Sequence, residues 1–282
     1  MIDFSALPKK GAIGVFDSGY GGLSILKELR KHLPQYDYIY LGDNARAPYG
    51  NRSFDVVYRY TREAVEFLFG QGCPLVIVAC NTASAKALRT IQMNDLPRWD
   101  ASRRVLGIIR PTTEIIGSIT RTRHVGLFAT AGTVASHSYE MEIAKFHPDV
   151  IVTSLACPMW VPLVENREYL SEGAHYFVKK YINEILQLDS QIDTLILGCT
   201  HYPLLMPVIE KYVPKHVRVL AQGERVAESL TDYLERHSDL QARLTAQQSC
   251  RYLTTEHAEA FTSLGSLFME DSIKAQHIEL DD

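Results

Sequence analysis

The chain has 282 residues, of which 46% are hydrophobic and 22% charged; these are globular proportions, and they exclude a disordered, collagen-like or coiled-coil protein. A formal net charge of −4 lacks the basic surplus of a dedicated nucleic-acid binder or a polybasic membrane anchor. At roughly 100–200 residues per domain, the length suits two modest domains.

The first residues, MIDFSALPKKGAIGVFD, carry no apolar stretch of the signal-peptide kind. No apolar run approaches the roughly 18 residues needed to span a bilayer. The expectation is a cytoplasmic protein. AIGVFD (12–17) reads as a buried strand, LSILKELRKHL (23–33) as a helix and YDYIYLGD (36–43) as a second strand. Helical periodicity runs through 53–70 and stops at Gly70. PLVIVAC (74–80) is a third strand, followed by a helix from Thr82 to about Met93, and RVLGII (104–109) a fourth strand. The alternation then restarts with strands at 124–130, 149–156, 193–199 and 216–222, and with helices at 133–146, 171–187 and 224–237. The polar tract 236–250 reads as a loop or β excursion, RYLTT (251–255) as a strand, and 256–269 as a helix before an acidic tail. Strands alternating with helices imply βαβ units and parallel sheets. The expected architecture is α/β, with two similar domains, each a mainly parallel sheet flanked by helices. The expected boundaries give a discontinuous first domain, 1–109 with 222–282, and a second domain, 110–221.

Three strand ends carry chemistry. FDSGYGGLS (16–24) is a strand, a glycine turn and a helix start, which brings backbone N–H groups close to a ligand. It is not a dinucleotide fingerprint, because Ser24 stands where the third glycine is required. VIVACNTAS (76–84) and LILGCTHYP (195–203) each run from an apolar strand into a cysteine, followed by Asn-Thr or Thr-His. The carboxyl edge of an open parallel sheet is where ligands bind. A helix start or a nearby imidazole lowers a thiol pKa from about 8.5. Cys80 and Cys199 therefore stand apart from Cys73, Cys157 and Cys250, which read as packing or surface residues. Five cysteines without a CxxC pair make neither a disulfide framework nor a zinc site. Two thiols, one in each domain, suit a reaction that removes a proton from one face of a stereocentre and returns it to the other. Nucleophilic attack by Cys199, with His201 as base, would leave Cys80 without a task.

From about Gly11 to Met269 the sequence resembles the cofactor-independent glutamate racemases of the aspartate/glutamate racemase family. The resemblance rests on Asp17-Ser18-Gly19 with Gly21-Gly22-Leu23, Asp43-Asn44-Ala45-Arg46 with Pro48-Tyr49-Gly50, Ala79-Cys80-Asn81-Thr82-Ala83-Ser84 and Gly198-Cys199-Thr200-His201-Tyr202-Pro203. It implies glutamate enclosed in a cleft between the domains, with Cys80 and Cys199 as the acid/base groups. It further implies Asp17 assisting Cys80, His201 assisting Cys199, and Glu165 as another polar assistant. Substrate contacts carry over to Asp17, Ser18, Tyr49, Gly50, Asn81, Thr82, Thr200 and His201. The resemblance implies no cofactor and no metal, a homodimer, and a supply of D-glutamate for peptidoglycan. Two stretches depart from the family pattern, Arg110-Pro111-Thr112-Thr113 and Ala221-Gln222-Gly223-Glu224, both at presumed domain crossings. The rival functions are an aspartate racemase, whose second motif lacks the His-Tyr-Pro continuation of 201–203, and a non-catalytic amino-acid-binding regulator, which would not need both thiols.

Overall fold

The structure, a computed structural model, describes residues 8–280. These fall into two compact units, one running up to Ile108 and resuming at Gly223, the other spanning Ile109–Gln222. Among the described residues the strands are β1 (Ile13–Asp17), β2 (Tyr38–Gly42), β3 (Leu75–Val78), β4 (Arg104–Gly107), β5 (His124–Ala129), β6 (Ile151–Ala156), β7 (Thr194–Gly198), β8 (Arg218–Leu220), β9 (Cys250–Thr254) and β10 (Ala275–His277).

The first unit holds one sheet of order β10-β9-β2-β1-β3-β4, parallel throughout. Its central strands IGVFD, YIYLG and LVIV are buried along their whole length. Helices therefore cover both faces, as parallel sheets require. The helix Phe54–Gly70 shows why the sequence folds this way. The Ser53 hydroxyl caps it by accepting from the Val56 N–H, and Asp55 lies in its first turn. Val57, Thr61, Ala64, Val65, Leu68 and Phe69 then fall on one buried stripe. That stripe packs with Phe16, Leu41, Val76, Val78 and Leu253 of the sheet.

The second unit holds the sheet β6-β5-β7-β8, again all parallel. Its central strand β7, TLILG, is fully buried. In both sheets parallel pairing gathers all the carboxyl ends at one edge. Both units thus have the α/β architecture expected from the alternating pattern.

Local differences from the sequence reading have identifiable causes. The strand expected through Ile109 ends at Gly107, and Ile109–Ile119 is a helix, despite Pro111. A proline is tolerated in a first turn, whose N–H groups have no helical partner. The helix expected over 133–146 is two helices, Ala131–Ser136 and Ser138–Phe146. They break at His137, whose φ of 52° is left-handed. The polar tract contains a short helix, Ser238–Gln241. Part of the acidic tail folds back as β10, pairing with β9. The two cysteines lie just past their strands, since β3 stops at Val78 and β7 at Gly198.

Candidate active site

In the first unit, β1 and β3 are neighbours, with Phe16 level with Val78. Ala79 N–H donates to the Phe16 carbonyl at 2.7 Å, which draws the two strand ends together. Asp17 and Ser18 therefore emerge beside Cys80, and Ser18 Oγ lies 3.4 Å from Cys80 Sγ. Cys80 occupies the N-cap position of the helix Asn81–Lys86, and Ala83 N–H points at its sulfur at 3.5 Å. Asn81 and Thr82 follow, both buried. Asp17 is also buried, and its Oδ1 accepts from Gly19 N–H at 2.8 Å. Tyr40 closes the same turn by donating to the Gly19 carbonyl at 2.8 Å. Burial and the charge of Asp17 push the Tyr40 phenol far up, so it stays a donor.

This turn has no room for side chains. A methyl group on Gly22 would come within 2.4 Å of Asp17 Cβ. Gly22→Ala is therefore expected to displace the Asp17 carboxylate and to destabilise the chain by about 1–3 kcal/mol, read as a lower denaturant midpoint.

Tyr49 reaches this region from the segment after β2. It is buried against Phe16, with ring centroids 6.3 Å apart. Its hydroxyl donates to Asp43 Oδ2. Asp43 is wholly buried and also accepts from Arg46 Nε at 2.7 Å and Thr255 Oγ1 at 2.9 Å. The Tyr49 hydroxyl is thus committed to Asp43, and Gly50 next to it offers only backbone to a ligand. The motif Asp43-Asn44-Ala45-Arg46 supported the family resemblance but carried no assigned role; its role in the fold is this anchor.

In the second unit, Cys199, Thr200 and His201 follow β7 directly, and all three are buried. His201 Nδ1 lies 3.9 Å from Cys199 Sγ, and Nε2 lies 3.0 Å from Glu165 Oε1. Glu165 is delivered by the helix Trp160–Glu165, which it terminates. Trp160 is fully buried and packs edge-on to Tyr202, with centroids 4.7 Å apart, fixing that helix against the segment carrying His201. Burial disfavours a charged imidazole. The hydrogen bonds to Cys199 and Glu165 and their negative charges outweigh it, pushing His201 up to about 10. Cys199, His201 and Glu165 form one continuous relay. Glu165 is not a freely solvated charge, as its neighbours Asn166 and Arg167 would suggest.

The other cysteines are held as thiols. Burial pushes Cys73 up to about 12, and burial together with the charge of Cys199 pushes Cys157 well above the ordinary range.

The sequence profile of the Asp/Glu/Hydantoin racemase family matches residues 23–230. The chain belongs to that family. It is an isomerase of the amino-acid racemase kind. It is 39% identical to the glutamate racemase of Geobacter metallireducens, over 92% of each chain. Its fold superposes on glutamate racemase isoform RacE1 from Bacillus anthracis with a TM-score of 0.87 and 33% identity, covering 96% of this chain and 98% of that one. The glutamate racemase of Francisella tularensis, solved in complex with D-glutamate, matches with a TM-score of 0.83 and 30% identity, over 97% and 98%. Among the described residues no helix is long and apolar enough to cross a membrane.

Proposed function

We infer that the chain interconverts L- and D-glutamate by moving the Cα proton between two thiols, Cys80 and Cys199. The observation that carries this reading is the Cys199–His201–Glu165 relay after β7, together with a second equipped thiol, Cys80, between Ser18 and the Ala83 N–H after β3. Both acid/base roles are filled by side chains, so the reaction needs no pyridoxal phosphate, metal or nucleotide. Incubating the purified protein with L-glutamate and no added cofactor should yield D-glutamate on chiral chromatography. An unchanged enantiomer ratio would overturn the reading.

Starting from D-glutamate, the Cys80 thiolate removes the Cα proton and Cys199 delivers one to the opposite face. Cys199 becomes a thiolate in that step. His201, charged at neutral pH and steadied by Glu165, stabilises the new anion. The reverse direction starts from this Cys199–His201 ion pair and ends with Cys80 as the donor. The Cα proton is very weakly acidic, so the carbanion needs fixed donors around the substrate carboxylate. Ser18, Asn81, Thr82, Thr200 and the backbone at Gly50 are assigned to that task. The biological role assigned is supply of D-glutamate for peptidoglycan. The assembly assigned is a homodimer, which sedimentation would read directly.

The relay has a pH signature. The folded-state pKa of His201 is raised, so its charged form contributes stability that is fully present below about 6.5. This contribution is lost as pH rises through about 10. Glu165→Gln removes one of the charges that raise it. The melting-temperature gap between wild type and Glu165→Gln should therefore close between neutral pH and about pH 10. A gap constant with pH would place Glu165 outside the relay.

Substrate length provides another test. Shortening the side chain by one methylene leaves the donors for the γ-carboxylate unpaired. Each buried unpaired group costs about 1–3 kcal/mol. L-Glutamate should therefore exceed L-aspartate by at least about tenfold in kcat/KM. Equal turnover of aspartate would reassign the substrate.

A further inference from the structure

Lys86 ends the helix that begins immediately after Cys80, and it is nine-tenths buried. Its ammonium donates to the Arg52 carbonyl at 2.7 Å and lies 5.1 Å from the centre of the Phe54 ring. Among the described residues no carboxylate pairs with it. Arg103, also buried, does have such a partner, Asp100 at 3.3 Å. A buried ammonium without a counter-ion costs free energy that an apolar side chain of the same length would not. In keeping with this, burial lowers the Lys86 pKa. The compensation lies in what the ammonium holds. Arg52 closes a turn by donating its N–H to the Tyr49 carbonyl at 3.0 Å, and its own carbonyl goes to Lys86. The Tyr49-Gly50 segment is therefore fixed at one end by Asp43, through the Tyr49 hydroxyl, and at the other by Lys86.

We propose that Lys86 is a positioning residue for glutamate binding: its hydrogen bond to Arg52 ties the Tyr49–Arg52 turn to the helix carrying Cys80, Asn81 and Thr82, so that the two substrate-contact segments of this unit keep one spacing. This rests on the glutamate reading above. Lys86 touches no reacting atom, and its effect falls on substrate affinity.

The test compares the full-length wild type with Lys86→Met and Lys86→Arg. Wild-type turnover of L-glutamate is measured first, and its absence would withdraw the functional reading and this proposal with it. Lys86→Met keeps the apolar stem and removes donor and charge. Its melting temperature should stay close to that of wild type, since relief of the buried unpaired charge offsets the lost hydrogen bond to the Arg52 carbonyl. Its KM for glutamate should rise about tenfold, because the released Tyr49–Arg52 turn must then be ordered when glutamate binds. Its kcat should stay within about twofold, because an interaction shared by ground and transition states changes KM alone. The stabilisation that saturating glutamate gives the wild type should weaken in parallel. Lys86→Arg keeps a charged donor and should return KM toward wild type. An unchanged KM in Lys86→Met overturns the proposal. So does a fall in kcat at constant KM. A variant that melts lower or fails to fold assigns Lys86 to stability alone, and that also overturns it.

Discussion

Serine in place of either Cys80 or Cys199 should lower glutamate racemisation by about three orders of magnitude, within the usual range for a lost acid/base group. A hydroxyl is far less acidic than a thiol and supplies little anion near neutral pH. On the two-thiol proposal either loss stops both directions, because each thiol would be the base in one direction and the acid in the other. The two enantiomers have equal free energy in water, so kcat/KM must fall equally forward and back in every variant. Rates of racemisation therefore cannot assign the faces. Elimination can. In a glutamate analogue with a leaving group on Cβ, loss of the Cα proton expels that group with the electron pair, and only one base acts. Cys80→Ser should retain elimination on the L enantiomer and lose it on the D. Cys199→Ser should do the reverse. Two variants that process the same enantiomer would end the two-thiol reading.

His201→Asn carries the second large effect. Asparagine keeps a polar group near Cys199 but cannot hold a positive charge. It removes the partner that hydrogen-bonds Cys199 and stabilises the anion formed there. Racemisation should drop by about a hundredfold. The loss in elimination should be confined to the L enantiomer, the one assigned to Cys199. Asp17→Asn should spare the L enantiomer and weaken elimination from the D, because Asp17 adjoins Cys80 across the ends of β1 and β3. Equal losses on both enantiomers from either variant would mean a general disturbance and not a local partnership. The measurement is the initial rate of elimination for each enantiomer offered separately.

Much of the fold could be read in the sequence, because parallel strands buried on both faces are apolar runs that need little context. IGVFD, LVIV and TLILG announce themselves in this way. What resisted reading depended on tertiary partners. The tail segment AQH has no strand-like composition and becomes β10 because β9 offers it an open edge. The strand expected through Ile109 gives way there to the helix Ile109–Ile119, whose first turn has room for Pro111. The candidate site divides along the same line. Asp17 ends β1, and Cys80, Cys199 and His201 follow strand ends, which the hydrophobic pattern marks. Glu165 comes from a helix the sequence reading did not see, so its contact with His201 could not be anticipated from Asn166 and Arg167 beside it. Asp43 and Lys86 act through partners such as Tyr49 and Arg52, and pattern alone does not pair such residues.

The route of the chain through the first unit bears on its synthesis. Up to Ile108 the ribosome has released β1–β4, and the edge of β2 that β9 will cover is still bare. The next stretch to emerge, Ile109–Gln222, contains every strand of its own sheet and can close without waiting. Only after residue 254 can β9 pair with β2, and only after 277 can β10 pair with β9. The part made second is thus the first able to finish, reversing the usual N-terminal-first order. Until then the edge of β2, Tyr38–Gly42, stays unpaired, and a bare apolar strand edge is a template for pairing with another chain.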